Sequence, residues 1–130
     1  MNVNLSVDET KILIAAIVRA KFDNPDAFEP YFGSSVLAGA CARLVESLMS
    51  TYEEAGDTNS IAAWKKWEEW SRRGFEKDAI VRHASLLPAW SEWNRTQKFD
   101  ALGSFCSPFR PSSSDLDEMI ENIDEIRQGL

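Results

Sequence analysis

The sequence has little of what most often carries chemistry. A single histidine, His83, stands with two cysteines, Cys41 and Cys106. One histidine excludes a histidine-rich zinc cage. The cysteines have neither the paired spacing of zinc ligands nor the number that a disulfide framework needs. They read as reduced thiols, which places the chain in the cytoplasm. The six glycines are dispersed from Gly33 to Gly129, so no glycine-rich loop cradles a phosphate. Long apolar runs are also missing. The longest, Ile12 to Val18, is seven residues, against the ~18 that a membrane span requires. It follows Asp8, Glu9 and Lys11 instead of a basic leader, so it does not read as a secretory signal.

Positive charge is scarce too. Fourteen bases face 21 acids, for a net charge of −7. That balance disfavours binding to nucleic acid or anionic membrane and suits a basic protein surface. The charge is uneven: residues 61–98 hold eight bases against five acids, whereas 115–130 hold six acids and only Arg127.

Tryptophan is plentiful, with five in 130 residues. Trp64, Trp67 and Trp70 recur at helical spacing and predict one amphipathic helix over 60–73, ended by Gly74. Lys65, Lys66, Glu68, Glu69, Arg72 and Arg73 take the opposite face, with Glu68–Arg72 and Glu69–Arg73 spaced for ion pairs. Basic groups on the far side from the rings argue against stacking on single-stranded nucleic acid. The rings read as core, with Trp70, at the edge of the arc, as a candidate exposed interface anchor.

The rest of the chain also reads as helical. Ser6 and Glu9 form a capping box for a helix from Val7 to Phe22, whose apolar residues surround it and predict a central core position. A turn near Asp23 leads into a segment with Phe28, Tyr31 and Phe32. A second helix runs from Ser34 or Ser35 to Gly56, with a stripe of Leu37, Cys41, Leu44, Leu48 and Tyr52. Ala38-Gly39-Ala40 leaves room for a neighbouring helix. Residues 76–87 form the next helix, with Ile80, Val81, Ala84 and Leu87 inward, and Pro88 forces a break. Residues 103–114 read as a loop by composition, and Pro108-Phe-Arg-Pro111 within it as a stiff turn. Residues 115–130 form an acidic helix capped by Ser114, with a seam of Leu116, Met119, Ile120, Ile123, Ile126 and Leu130. The whole predicts an all-α, compact, single-domain bundle of five to six helices spanning residues 1–130, without significant sheet.

No cofactor and no metal site is expected. Asp115, Asp117, Glu118 and Glu121 lack the glycine and ligand ladder of a calcium loop and read as a solvated face. The expected function is non-catalytic binding to another protein with a basic surface, as an inhibitor, an immunity or antitoxin-type partner, or an accessory subunit. The alternative is a small-molecule-binding domain with an aromatic-lined pocket; an enzyme using His83 with acidic residues comes third. The C-terminal helix is expected to dock on the domain's own body, with a homodimer through it as a further option. Its outer carboxylates Glu118, Glu121, Asp124 and Glu125, with Trp70, are the interface candidates.

Overall fold

Capping side chains decide where most of these helices begin. A computed structural model describes residues 3–23 and 33–129. Ser6 accepts from the Glu9 amide and Glu9 accepts from the Ser6 amide, which opens α1 (Val7–Phe22). Ser34 caps α2 (Ser35–Glu54), which is followed by the left-handed Gly56 at φ 67°. Asp57 accepts from the Ser60 amide and caps α3 (Thr58–Trp67). Then come α4 (Gly74–Ser85), α5 (Arg95–Cys106) and α6 (Ser113–Gln128). Asn94 with Gln97, and Ser112 with Asp115, form capping boxes for the last two. Short 3-10 turns at Trp70–Arg72 and Pro88–Glu92 join α3 to α4 and α4 to α5. Six helices and no strand among the described residues make this an all-α bundle. The expected segment of Phe28, Tyr31 and Phe32, and the seam residue Leu130, lie outside the described residues.

Burial divides the bundle into two apolar clusters. Ile14 of α1 packs with Cys41, Val45, Leu48 and Tyr52 of α2, and α3 closes over them with Ile61, Trp64 and Trp67. The second cluster joins α4, α5 and α6 through Ile80, Ala84, Leu102, Phe105, Met119, Ile120 and Ile123, with Phe22 and Trp70 added. Trp67 and Val18 pack against both. The acidic helix therefore docks on the chain's own body, as its seam requires. Met119, Ile120 and Ile123 are buried there, Arg95 pairs with Asp117, and Lys98 with Asp124 at 3.2 Å. Ile126, expected on the seam, stays 41% exposed.

Several expectations are corrected by this packing. The first helix is peripheral, not central: Ile12 is 69% exposed and Leu13 41%, because only its Ile14 side meets α2. The buried stripe of α2 is Ala38, Cys41, Val45, Leu48 and Tyr52, with Leu37 and Leu44 half-buried at its margin. At Ala38-Gly39-Ala40 the end of α5 does come close, its Ser107 hydroxyl donating to the Ala38 carbonyl at 3.1 Å, while a side chain on Gly39 itself would first meet Arg43 of the same helix. The glycine- and serine-containing stretch from 103 is helical as far as Cys106, since burying Leu102, Phe105 and Cys106 outweighs the weak propensity of Gly103 and Ser104. The last helix then starts two residues early, capped by Ser112 instead of Ser114.

The largest correction is the tryptophan helix. It stops at Trp67, and Glu69 is extended at ψ 121°. Gly74 therefore begins α4 instead of ending α3. The expected Glu68–Arg72 and Glu69–Arg73 pairs are replaced. Glu68 pairs with Arg110 and Glu69 with Arg72, both at 3.3 Å, and Arg73 pairs with Glu76 at 3.4 Å. Arg73 is the reason the break is stable. Its Nε donates to the Trp67 carbonyl at 3.0 Å, and Nη2 donates to the same oxygen. The guanidinium also lies 5.0 Å from the Trp67 ring centroid and 4.3 Å from that of Phe109. A cation thus meets the carbonyl that a helix end leaves unpaired. With the chain turned, Trp70 enters the second cluster at 8% exposure, so the expected exposed anchor is a buried side chain.

Arg73→Met keeps the hydrocarbon stem but leaves the Trp67 carbonyl without these donors and Glu76 without its partner. We expect it to lose about 2–4 kcal/mol of unfolding free energy, measured by urea denaturation. A loss below about 0.5 kcal/mol would show that the break is held by something else.

Candidate functional site

On α1, Lys11, Ile14 and Ala15 share one side at the helical i, i+3, i+4 spacing. On α3, Ala63, Trp64 and Trp67 do the same at i, i+1, i+4. With α2 behind them both, these six residues line an open cleft of about 270 Å³. Ile14 is fully buried, and the exposed Ala15 and Ala63 are too small to fill the space. Trp64 and Trp67 meet edge to face at 4.9 Å, and Trp67 is backed by Phe109, also at 4.9 Å. These contacts fix the rings while leaving each half-exposed. Ile12, three residues before Ala15, extends the apolar surface onto the outer side of α1. The tryptophan spacing was visible in the sequence. The cleft was not, because it exists only where α3 ends early and α1 lies at the edge.

A second groove, of about 460 Å³, runs between α2 and the end of α3 and is lined by Glu46, Met49, Ser50, Glu53, Lys65 and Glu68, with Arg110 at one side. Burial raises the pKa of Glu68, and Arg110 and Lys65 oppose the shift. Its charges are of both signs, with the Glu68–Arg110 ion pair already satisfied internally.

The other expected site residues do not come together. His83 is half-buried on α4, with its ring edge-on to Phe105 at 5.5 Å. Of the four carboxylates on α6, Glu118, Glu121 and Glu125 are exposed. Asp124 is turned inward, accepting from the Trp90 indole at 2.8 Å and from Lys98 at 3.2 Å. Asp124 therefore helps dock α6, a correction to its expected place on the free acidic face. Among the described residues no group of three or more His, Cys, Asp or Glu could hold a metal ion. No described helix is long and apolar enough to cross a membrane. Comparison with protein-family models, curated proteins and solved structures finds no match.

Sequence reasoning missed Lys21. It is fully buried, and its ammonium donates to the carbonyls of Ser104 at 2.9 Å and Ser107 at 2.5 Å, at the end of α5. Burial pulls its pKa down to about 8, with nearby Cys41 and Cys106 opposing the shift. Burial likewise raises the Cys41 thiol and pushes Cys106 up to about 12, so both stay protonated and unreactive at neutral pH. No spacing signal marked Lys21, because its partners are main-chain carbonyls far along the chain.

The lowered Lys21 value makes stability depend on pH with a definite sign. From about pH 8 the folded chain releases a proton that the unfolded chain keeps up to its ordinary value of 10.5, so unfolding free energy rises with pH. The thiols act oppositely, since the folded chain holds their protons beyond their ordinary value of 9.0. Because Lys21 is coupled to both thiols, Lys21→Met and the parent are compared with both chains carrying Cys41→Ala and Cys106→Ala. Between pH 8 and 9 the parent should therefore gain about 1 kcal/mol relative to Lys21→Met, read from paired denaturation curves. A constant difference across that range would show that Lys21 keeps its proton.

Proposed function

We propose that this chain acts by binding another protein, without catalysis, and that the α1–α3 cleft receives an apolar segment of the partner. The observation that carries this is the open aromatic cleft, with small alanines on both walls, on an otherwise highly charged chain. A small ligand is usually enclosed in ~300–1,000 Å³; this cleft is smaller and open, which favours side chains projecting from a partner's helix. The alternative, a small-molecule-binding domain, draws on the same aromatic lining. Buried, protonated thiols and a histidine packed on Phe105 support the non-catalytic reading over an enzyme using His83. Inhibition of a target, immunity or antitoxin-type neutralisation, and an accessory-subunit role all fit such binding. The free buried thiols suit a reducing compartment such as the cytoplasm.

The exposed Glu118, Glu121 and Glu125 would speed the approach of a basic region of the same partner, while apolar contact in the cleft supplies most of the affinity. The direct test is Ala63→Gln, a good helix former that fills the cleft without adding charge. Affinity purification from the native cell, compared by mass spectrometry, should recover a partner with the parent chain and lose it with a folded Ala63→Gln variant. A partner held equally by both would place the interface elsewhere. Reversing Glu118, Glu121 and Glu125 to lysine should then slow association about tenfold at low salt, and the effect should fade as salt rises. Unchanged rates would remove α6 as a steering element.

A further inference from the structure

We infer that the segment received by the α1–α3 cleft is an amphipathic helix whose apolar stripe is flanked by carboxylates; this rests on the protein-binding reading above. The charge around the cleft points to it. Lys11 lines the cleft itself. Arg19, four residues after Ala15, and Lys66, three after Ala63, stand exposed beside its two walls. On that side of α1 the carboxylates are Asp8 and the C-cap Asp23, which pairs with Arg19 at 3.7 Å, so Lys11 and Lys66 carry the attraction, and α3 itself contains no acid. A chain with a net charge of −7 therefore presents this aromatic cleft with a lysine on each wall, Lys11 and Lys66. The six acids of residues 115–130 belong to the other half of the bundle. An acid-flanked helix is disfavoured there and favoured at the cleft, so the charge pattern sets where such a segment lands.

Geometry fits a helix better than an extended strand. Lys11 to Ala15 and Ala63 to Trp67 each span one turn, about 6 Å along the axis. That accommodates two apolar anchors spaced i, i+4 on an incoming helix. Ala15 and Ala63 let its backbone approach, Trp64 and Trp67 offer aromatic faces to the anchors, and Ile12 extends the contact outward. Carboxylates one turn from the anchors on either side then reach Lys11 and Lys66.

The test uses the full chain and two synthetic helical peptides without tryptophan. They share one leucine stripe and differ only in flanks, glutamate in one and lysine in the other. Binding is followed by calorimetry and by fluorescence of the protein's tryptophans at low salt. The glutamate-flanked peptide should bind at least tenfold more tightly, and its advantage should shrink as salt is added. The double variant Lys11→Glu, Lys66→Glu should invert the preference, and Ala63→Gln should abolish binding of both. Equal affinities, or a preference for lysine flanks, with binding still lost in Ala63→Gln, would overturn the inference and leave the cleft as a docking site. Failure of both peptides to bind, or binding indifferent to Ala63→Gln, would overturn the cleft reading as well. Sedimentation of the chain alone covers the remaining occupant: dimerisation abolished by Ala63→Gln would assign the cleft to a second copy and overturn the inference.

Discussion

A helix leaves its last carbonyls without amide partners, and this chain meets that need with cations drawn from elsewhere in the bundle. Among the described residues, only α2 is followed by a left-handed glycine. The Trp67 carbonyl, at the end of α3, accepts from Arg73. At the end of α4, the Ser85 and Leu87 carbonyls accept from Arg127 of α6, both at 2.9 Å. At the end of α5, the Ser104 and Ser107 carbonyls accept from Lys21 of α1. Two of these cations reach far along the chain, Lys21 across 83 and 86 residues and Arg127 across 42 and 40, so capping and tertiary assembly become the same event. Truncating one of them would do more than shorten a side chain, because it leaves partly buried carbonyls unpaired.

The early stop of α3 shapes everything downstream. A continuous helix would have placed Trp64, Trp67 and Trp70 along one arc facing one core. Turning the chain after Trp67 sends Trp70 into the α4–α6 cluster and keeps Trp64 and Trp67 beside α1. Trp67 then touches both halves, with Phe109 behind it and Arg73 against its ring. The cleft follows from this. Two helices that both pack on α2 and carry alanines at their facing edges leave an apolar space that Ala15 and Ala63 are too small to fill.

Local charge placement follows from the same packing. Arg95 and Lys98 pair with acids on the inner side of α6, so part of its negative charge is consumed in docking. What remains outward is Glu118, Glu121 and Glu125. The cations of α1 and α3 border the other half. Both halves nevertheless stay net acidic, with nine acids against six bases over residues 1–67 and twelve against eight over 68–130, so the local placement of these groups, not an overall division of charge, is what orients a partner.

Local chemistry was legible in the sequence. The capping box at Ser6 and Glu9, the start of the second helix at Ser34 or Ser35, its stop at Gly56 and the apolar seam of the last helix all rest on groups within a few residues of one another. Their positions follow from short-range hydrogen bonds and helical periodicity. The all-helical class and the docking of α6 came with them. Tertiary structure alone decided which apolar residues of α1 are buried, where the tryptophan helix breaks, and that 103–106 is helical. It also decided that Trp70 and Asp124 face inward. Each of these depends on a partner distant in sequence: α2 for Ile14, Arg73 and Phe109 for Trp67, the α6 seam for the end of α5, Trp90 for Asp124. A spacing pattern records which residues share a face, but only the packed neighbour determines whether that face is covered, and the cleft is the face that no described part of this chain covers.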